Sequence, residues 1–132
     1  MTVVLDSSLA VAALVDSGPV GRWGESVLTS GPLVAPHLMP VEAANVLRRS
    51  VLSGDISEDM GSLAHDDLAS LRVELFPYAP FAARVWELRA TVTAYDAWYV
   101  AVAEELGLAV ATLDGRLARA SGPRCAFLLP PD

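Results

Sequence analysis

Four acidic residues each stand at the edge of an apolar segment: Asp6, Glu42, Asp96 and Asp114. An unpaired carboxylate is costly to bury, and carboxylates held close together raise one another's pKa unless a cation lies among them. Mg²⁺ and Mn²⁺ prefer carboxylate and water oxygens, and such an ion activates water for attack on phosphorus. The four residues therefore predict one shared divalent-cation site and the hydrolysis of phosphodiester bonds.

Each of these carboxylates also has a purely structural interpretation. Asp6 and Asp114 are both placed to be N-caps of the helices that follow them. Asp96 would be the acidic member of a capping box that begins at Thr93, and Glu42 would favour the dipole of its own helix. Spacing along the chain leaves both interpretations open for each of the four.

Short apolar runs alternate with segments of helical periodicity along the whole chain. The predicted strands cover residues 2–5, 33–35, 73–76, 108–113 and 125–129. The predicted helices cover residues 7–15, 19–29, 40–53, 57–71, 81–92, 95–106 and 114–120. This alternation predicts one α/β domain with a mostly parallel sheet covered on both faces. Asp6 and Asp114 directly follow strands, where open α/β sheets bind ligands.

The charge of the chain limits how it could hold a polyanion. The net charge is −7 and the pI is near 4.6, which argues against a general basic surface for nucleic acid. A bound cation would reverse the field locally and admit a phosphate. All 9 basic residues are arginine, so chemistry that needs a lysine is excluded. Receiver domains and haloacid-dehalogenase-like phosphatases both need a lysine near their acidic site. The absence of lysine therefore argues against either class for this chain.

The remaining reactive side chains do not form a second candidate site. Cys125 is the single cysteine, so it has no disulfide or CxxC partner, and we expect it to lie in a buried strand. His37 and His65 have no partner at metal-ligand spacing, and nothing orients a Cys125–His37 pair for nucleophilic catalysis. Trp98 and Tyr99 are interpreted as core residues rather than base-stacking platforms.

The hydropathy pattern predicts a protein of the cytoplasm. The longest apolar runs, Leu9 to Val15 and Ala97 to Ala103, are far shorter than a transmembrane helix requires. The N-terminus lacks the basic region and apolar stretch of a signal peptide. Hydrophobic residues make up 53% of the chain, so we expect a partner or a second copy to cover some apolar surface.

Four segments of the chain resemble the acidic motifs of PIN-domain ribonucleases, in particular the VapC-type toxins of bacterial toxin–antitoxin pairs. The segments are VVLDSS, PVEAANVLRR, YDAWYVAVAE and TLDGRLA, and they occur in the family's order. The resemblance implies a PIN-like three-layer α/β/α fold with a short, mostly parallel central sheet, forming a single domain over residues 1–132. It also implies a metal-dependent endoribonuclease in which Asp6, Glu42, Asp96 and Asp114 bind Mg²⁺ or Mn²⁺ and position the attacking water.

The same resemblance assigns supporting residues and partners. Ser8 matches a hydroxyl position two residues after the first Asp, and Thr112 matches one two residues before the last Asp. Asn45 matches a polar position on the Glu42 helix. Gly115 and Arg116 stand where some members carry a fifth acid, so the resemblance does not extend to a fifth ligand. The implied partners are RNA, a small cognate antitoxin that blocks the site, and a second copy in a homodimer. The alternative is a catalytically inactive PIN-like module that binds its antitoxin.

Four arginines follow the acidic motifs and are candidates for contact with RNA phosphates. They are Arg48, Arg49, Arg116 and Arg119. A solvated helix face is an equally good interpretation of the same residues.

Overall fold

The computed structural model describes residues 1–132 and contains a five-stranded parallel sheet in the order β3-β2-β1-β4-β5. The strands are β1 (Val3–Leu5), β2 (Leu33–Pro36), β3 (Val73–Phe76), β4 (Ala109–Ala111) and β5 (Phe127–Leu128). The chain crosses over between every pair of neighbouring strands, as parallel pairing demands. The three inner strands are almost wholly buried, which explains their uninterrupted apolar sequences.

Seven α-helices surround this sheet. They are α1 (Ser7–Val15), α2 (Pro19–Leu28), α3 (Met39–Leu52), α4 (Glu58–Ser70), α5 (Ala82–Glu87), α6 (Ala94–Leu106) and α7 (Gly115–Ala118). Helices α1 to α4 pack against one another, whereas α5 packs on α6, which contacts β1, β2 and β4. The prediction of a three-layer α/β/α fold with a short parallel sheet is confirmed. None of the helices combines the length and the apolar character needed to cross a membrane.

Helix α6 is the buried centre of its layer. Its side chains from Tyr99 to Ala103 are at most 3% exposed, which agrees with the predicted burial of this segment. The helix begins at the N-cap Thr93 and ends at Gly107, whose φ of 67° is a left-handed conformation that glycine adopts without strain. A buried helix with fixed ends holds the side chains of its first turn at a defined height above the sheet.

Strand register brings the ends of β1 and β4 together. Leu5 pairs with Ala111, and the backbone N–H of Asp6 donates to the Ala111 carbonyl at 3.1 Å. Parallel strands end at the same edge of a sheet, so the residues after β1 and β4 are neighbours. This register places Asp6 beside Thr112.

Several predicted boundaries were wrong, for physical reasons that are local. Strand β4 starts only at Ala109, because the Leu108 N–H closes the end of α6 by donating to Ala103 O at 2.9 Å. Strand β5 is confined to Phe127–Leu128, so Cys125 lies in a half-buried bend before it rather than in a strand. Strand β2 runs one residue further than predicted, to Pro36, which pairs with Phe76 of the edge strand β3. Proline has no N–H to donate, and the N–H of the next residue, His37, donates to Phe76 O at 2.9 Å.

The segment predicted as one helix over residues 81–92 is also divided. A 3₁₀ turn at Ala79–Phe81 precedes α5, and a series of turns leads from its end to Thr93. Phe81, Val85, Leu88 and Val92 are nevertheless all buried. Burial therefore produced the helical periodicity in this segment, although the backbone departs from a helix.

Candidate active site at the carboxyl edge of the sheet

Asp6 is a buried carboxylate that does not cap its helix. It occupies the N-cap position of α1 without a side-chain capping bond and is only 7% exposed. Its Oδ2 instead accepts hydrogen bonds from Ser8 Oγ at 2.9 Å and from Thr112 Oγ1. The capping interpretation of Asp6 is therefore wrong, and its carboxylate is oriented by two hydroxyl groups.

The same two hydroxyls join the loop after β1 to the loop after β4. Ser8 Oγ accepts from the Leu113 N–H at 3.2 Å, and Thr112 Oγ1 accepts from the Asp114 N–H at 3.0 Å. Thr112 is fully buried. Each hydroxyl thus donates to Asp6 and accepts from a backbone N–H of the loop after β4, so the loop that carries Asp114 is fixed relative to Asp6.

Asp114 does cap the helix that follows it. Its Oδ1 accepts from the N–H groups of Arg116 and Leu117, at 2.9 and 3.2 Å. These bonds hold the carboxylate at the start of α7 and leave Oδ2 outside the cap. For this residue the capping interpretation is correct, and it is compatible with a second role for the other oxygen.

Asp96 lies in the first turn of α6, where Thr93 Oγ1 accepts from the Asp96 N–H at 3.2 Å. Burial raises the pKa of the Asp96 carboxyl, and the nearby charges of Asp6 and Asp114 raise it further, against an opposing hydrogen bond to Thr93. A cation near Asp96 would stabilise its charged form, which burial and the neighbouring carboxylates destabilise.

Glu42 lies in the first turn of α3 and accepts a hydrogen bond from the Tyr99 hydroxyl to Oε1 at 2.6 Å. Burial raises the pKa of Glu42; the Tyr99 hydrogen bond lowers it, and the charges of Asp6 and Asp96 raise it again. The structure therefore brings Glu42 on α3 close to the charges of Asp6, which follows β1, and of Asp96 on α6.

Charge repulsion connects the four carboxylates in pairs. Repulsion links Asp6 to Glu42 and Asp96, and links Asp96 to Asp114. A cavity of about 390 Å³ is lined by Asp96 and Asp114 together with Arg116. Carboxylate and hydroxyl oxygens are the donor set of a hard divalent cation rather than of zinc. No three His, Cys, Asp or Glu side chains stand at the mutual spacing of a ligand shell, so joint coordination requires their side chains to adjust.

The arginines named from the sequence are separated by the fold. Arg116 is exposed and lines the cavity with Asp96 and Asp114. Arg48 is exposed on α3 but lines a different groove of about 810 Å³ between α3 and α4. Arg49 and Arg119 are exposed as well. Only one of the four therefore lines the cavity that holds two of the acids.

The other residues considered from the sequence fall mainly on the surface. Asn45 is exposed on α3, and His37 and His65 are exposed. The half-buried Cys125 thiol has a pKa raised to about 11 by burial and by the charge of Glu104, so it is not a thiolate nucleophile. These observations agree with the exclusion of a cysteine-dependent site.

Tyr99 is the site residue that the sequence analysis did not find. Its fully buried side chain agrees with the predicted core position, but its hydroxyl donates to Glu42. Two sequence signals could have found it. Tyr99 stands three residues after Asp96, on the same helical face, and a buried tyrosine hydroxyl usually has a hydrogen-bond partner.

The chain matches the profile of the PIN domain over residues 3–123. Ribonuclease VapC1 of Mycobacterium tuberculosis is 39% identical to it over 127 residues, which are 96% of each chain. Ribonuclease VapC9 of the same organism is 34% identical over 129 residues, or 98% of each chain, and Ribonuclease VapC12 is 37% identical over 120 residues, or 91% of this chain and 92% of the relative. The chain belongs to the PIN-domain family and, within it, to the VapC group.

Solved structures with little sequence similarity have the same fold. FitAcB from Neisseria gonorrhoeae superposes with a TM-score of 0.68 at 19% identity, covering 98% of both chains. VapC20 of Mycobacterium tuberculosis, a toxin that cleaves the Sarcin-Ricin loop, gives a TM-score of 0.67 at 16% identity, over 87% of this chain and 92% of that one. VapBC2 from Rickettsia felis, solved with a promoter DNA fragment, gives a TM-score of 0.68 at 15% identity, over 96% of this chain and 97% of that one.

Proposed function

We propose that this protein is a toxin endoribonuclease that hydrolyses RNA phosphodiester bonds with the help of Mg²⁺ or Mn²⁺. The observation that carries the proposal is the buried Asp6 carboxylate, held by two hydroxyls, with the charges of Glu42 and Asp96 close to it and Asp114 close to Asp96. The names of its VapC relatives, which are ribonucleases, support the same activity. We further propose that residues 1–132 form one PIN domain.

The four carboxylates would hold the divalent ion, with Asp6, Asp96 and Asp114 nearest to it and Glu42 completing the set. When bound, such an ion supplies charge neutralisation and an activated water at neutral pH. Ser8 and Thr112 fix the direction in which Asp6 presents its oxygens. The capping bonds to Oδ1 hold the Asp114 side chain in place and leave Oδ2 for the ion.

RNA would approach through the cavity that Asp96 and Asp114 line. The chain carries a net charge of −7, so its surface as a whole repels a polyanion, and attraction has to be local. Arg116 is the cation of this cavity, and its guanidinium is suited to a phosphate oxygen. It would hold the RNA backbone beside the acids without taking part in proton transfer.

We also propose the partners and location that the family suggests. A cognate antitoxin would neutralise the enzyme, and its apolar contacts would cover some of the exposed hydrophobic side chains, such as Val41, Leu52 and Leu63. Homologous toxin structures solved with a partner, such as VapBC2, support an antitoxin. A homodimer and a cytoplasmic location complete the proposal.

An inactive module that only binds an antitoxin is the second candidate. One observation favours it, namely that no three acidic side chains stand at ligand spacing. The two candidates make opposite predictions for RNA cleavage and for growth. Expression without antitoxin should arrest growth if the enzyme is active, whereas a folded inactive module should be harmless.

The test is cleavage of purified cellular RNA by the wild-type protein with Mg²⁺, Mn²⁺ or EDTA. Cleavage should require the ion and should be lost in Asp6→Asn and in Asp96→Asn. Asp66→Asn is a matched control, since Asp66 is exposed on α4. Cleavage that survives unchanged in the folded Asp6→Asn protein would reject the proposed mechanism. Absence of cleavage by the wild type under all these conditions would favour the inactive module.

A further inference from the structure

Tyr99 connects two helices that carry acids of the candidate site. It lies on α6, three residues after Asp96, and its hydroxyl reaches Glu42 on α3 at 2.6 Å. The two bonded residues are 57 positions apart in the chain. One helix thus sets the position of Asp96 directly and that of Glu42 through a side-chain hydrogen bond.

Neighbouring negative charges repel the Glu42 carboxylate from the position that it occupies. Asp6 and Asp96 repel its carboxylate, and burial adds a further cost to its charged form. A glutamate at the start of a helix has flexible torsions that would let the carboxylate turn toward solvent. The bond from Tyr99 is the one side-chain hydrogen bond that Glu42 makes, and it holds the group inward.

The tyrosine itself is rigid. Its side chain is 0% exposed and is packed within the apolar core, so its hydroxyl position is determined by the packing around the ring. The hydroxyl donates to Oε1 of Glu42 and not to Oε2, and the Ser7 side chain is a further polar neighbour of the hydroxyl. The second oxygen, Oε2, is therefore available to another partner while the first remains anchored.

From these contacts we propose that Tyr99 is a positioning residue that holds Glu42 in the carboxylate group for divalent-cation binding. The inference rests on the proposed metal-dependent function and deepens it. Outer hydrogen-bond partners of metal ligands commonly change metal affinity or activity by roughly 10- to 100-fold when removed. Tyr99 would act through Glu42 and would not contact RNA.

The first test is the Tyr99→Phe variant, which removes the hydroxyl and keeps the ring. We expect Mn²⁺ affinity, measured by electron paramagnetic resonance of free Mn²⁺, to fall by roughly 10- to 100-fold. At subsaturating Mn²⁺ the kcat for RNA cleavage should fall while KM for RNA stays constant. Tyr78→Phe is the matched control, because Tyr78 is 44% exposed and its hydroxyl makes no hydrogen bond. Wild-type affinity in folded Tyr99→Phe would overturn the proposal.

A double-mutant cycle separates positioning from a general structural effect. In a Glu42→Gln background, Tyr99→Phe should cause no further loss of Mn²⁺ affinity, because the group that the hydroxyl positions has already lost its charge. An equal loss in both backgrounds would mean that Tyr99 acts independently of Glu42. That result would also overturn the proposal.

A third measurement needs no change at Tyr99 and applies even if Tyr99→Phe does not fold. The chain has 3 tyrosines, so the ring ¹³C signal of Tyr99 can be assigned by elimination with Tyr78→Phe and Tyr95→Phe. Addition of Mg²⁺ should shift this signal in the wild type and leave it unchanged in Glu42→Gln. An unshifted Tyr99 signal at Mg²⁺ concentrations that saturate the site would overturn the proposal.

Failure of this inference is distinguishable from failure of the proposed function. If the wild type neither binds Mn²⁺ nor cleaves RNA, the function itself is wrong, and the role of Tyr99 is refuted with it. If the wild type does both and Asp6→Asn does neither, the function stands. Unchanged metal binding in Tyr99→Phe would then refute the role of Tyr99 alone.

Discussion

Replacement of Thr112 by valine tests the hydrogen-bond network at the centre of the site. Thr112→Val keeps the shape of a fully buried side chain and removes one hydroxyl. That hydroxyl donates to Asp6 Oδ2 and accepts from the Asp114 N–H at 3.0 Å. The substitution therefore leaves a buried carboxylate with one donor fewer and a backbone N–H without its acceptor.

The expected loss of stability follows from these two bonds. Loss of a hydrogen bond to a charged group, together with a partly buried N–H left without an acceptor, should lower the free energy of unfolding by about 2 to 4 kcal/mol. With an unfolding entropy of about 2.1 cal/mol/K per residue, a chain of 132 residues should melt roughly 7 to 14 °C lower. RNA cleavage by the folded variant should also fall, because Asp6 and the Asp114 loop lose their common anchor.

Thermal and urea unfolding of the metal-free protein measure this effect. Thr29→Val is the matched control, since Thr29 is exposed at the end of α2 and its hydroxyl bonds only to carbonyls of its own helix. Surface substitutions of this kind change stability by about 0.5 kcal/mol or less. A Thr112→Val protein within that margin of the wild type would refute the structural role assigned to the hydroxyl.

Three further predictions concern charge. Burial and neighbouring carboxylates raise the pKa values of Glu42 and Asp96, so the folded protein binds these protons more tightly than the unfolded chain. The metal-free protein should therefore lose stability as pH rises from the ordinary carboxyl pKa through the raised values, and urea midpoints at a series of pH values measure this. Arg116→Ala should raise KM for RNA several-fold and weaken its salt dependence with little change in kcat, whereas Arg48→Ala should not. Arg84→Ala should lower the unfolding free energy by about 1 to 3 kcal/mol without loss of cleavage, because it breaks a bidentate pair remote from the acids.

Each of these predictions has a result that contradicts it. If the stability of the metal-free protein were constant or rose over that pH range, folding would not destabilise the charged forms of Glu42 and Asp96. Equal KM values for Arg116→Ala and the wild type would remove Arg116 from the RNA path. Loss of cleavage in a folded Arg84→Ala protein would show that the pair with Glu104 affects the site.

The sequence predicted the fold class and most elements because its apolar runs reflect burial. Strand β3 and helix α1 were predicted with their observed bounds, and α2, α3, α4 and α6 within one or two residues. The errors occurred where backbone hydrogen bonds, rather than hydropathy, set the boundary. Leu108 is apolar but closes α6, and Val92 is buried although it lies in a turn.

The acids of the candidate site could be found from the sequence, but their contacts could not. Capping and site roles predict the same residue types, so only the structure shows that Asp6 does not cap its helix whereas Asp114 does. The pairing of Tyr99 with Glu42 depends on how α6 packs beside α3, which spacing along the chain does not encode. The separation of Arg48 from Arg116 likewise depends on packing.

The central claim is that four carboxylates, distant in the chain, share one divalent cation. A crystal structure of the wild-type protein grown with Mn²⁺, with anomalous scattering measured at the manganese edge, tests it most directly. We predict an anomalous peak coordinated by Asp6, Asp96 and Asp114 oxygens, with Glu42 in the shell or one water away. If crystals grown at saturating Mn²⁺ gave no anomalous peak there, or if the manganese were coordinated by other residues, the account would be contradicted.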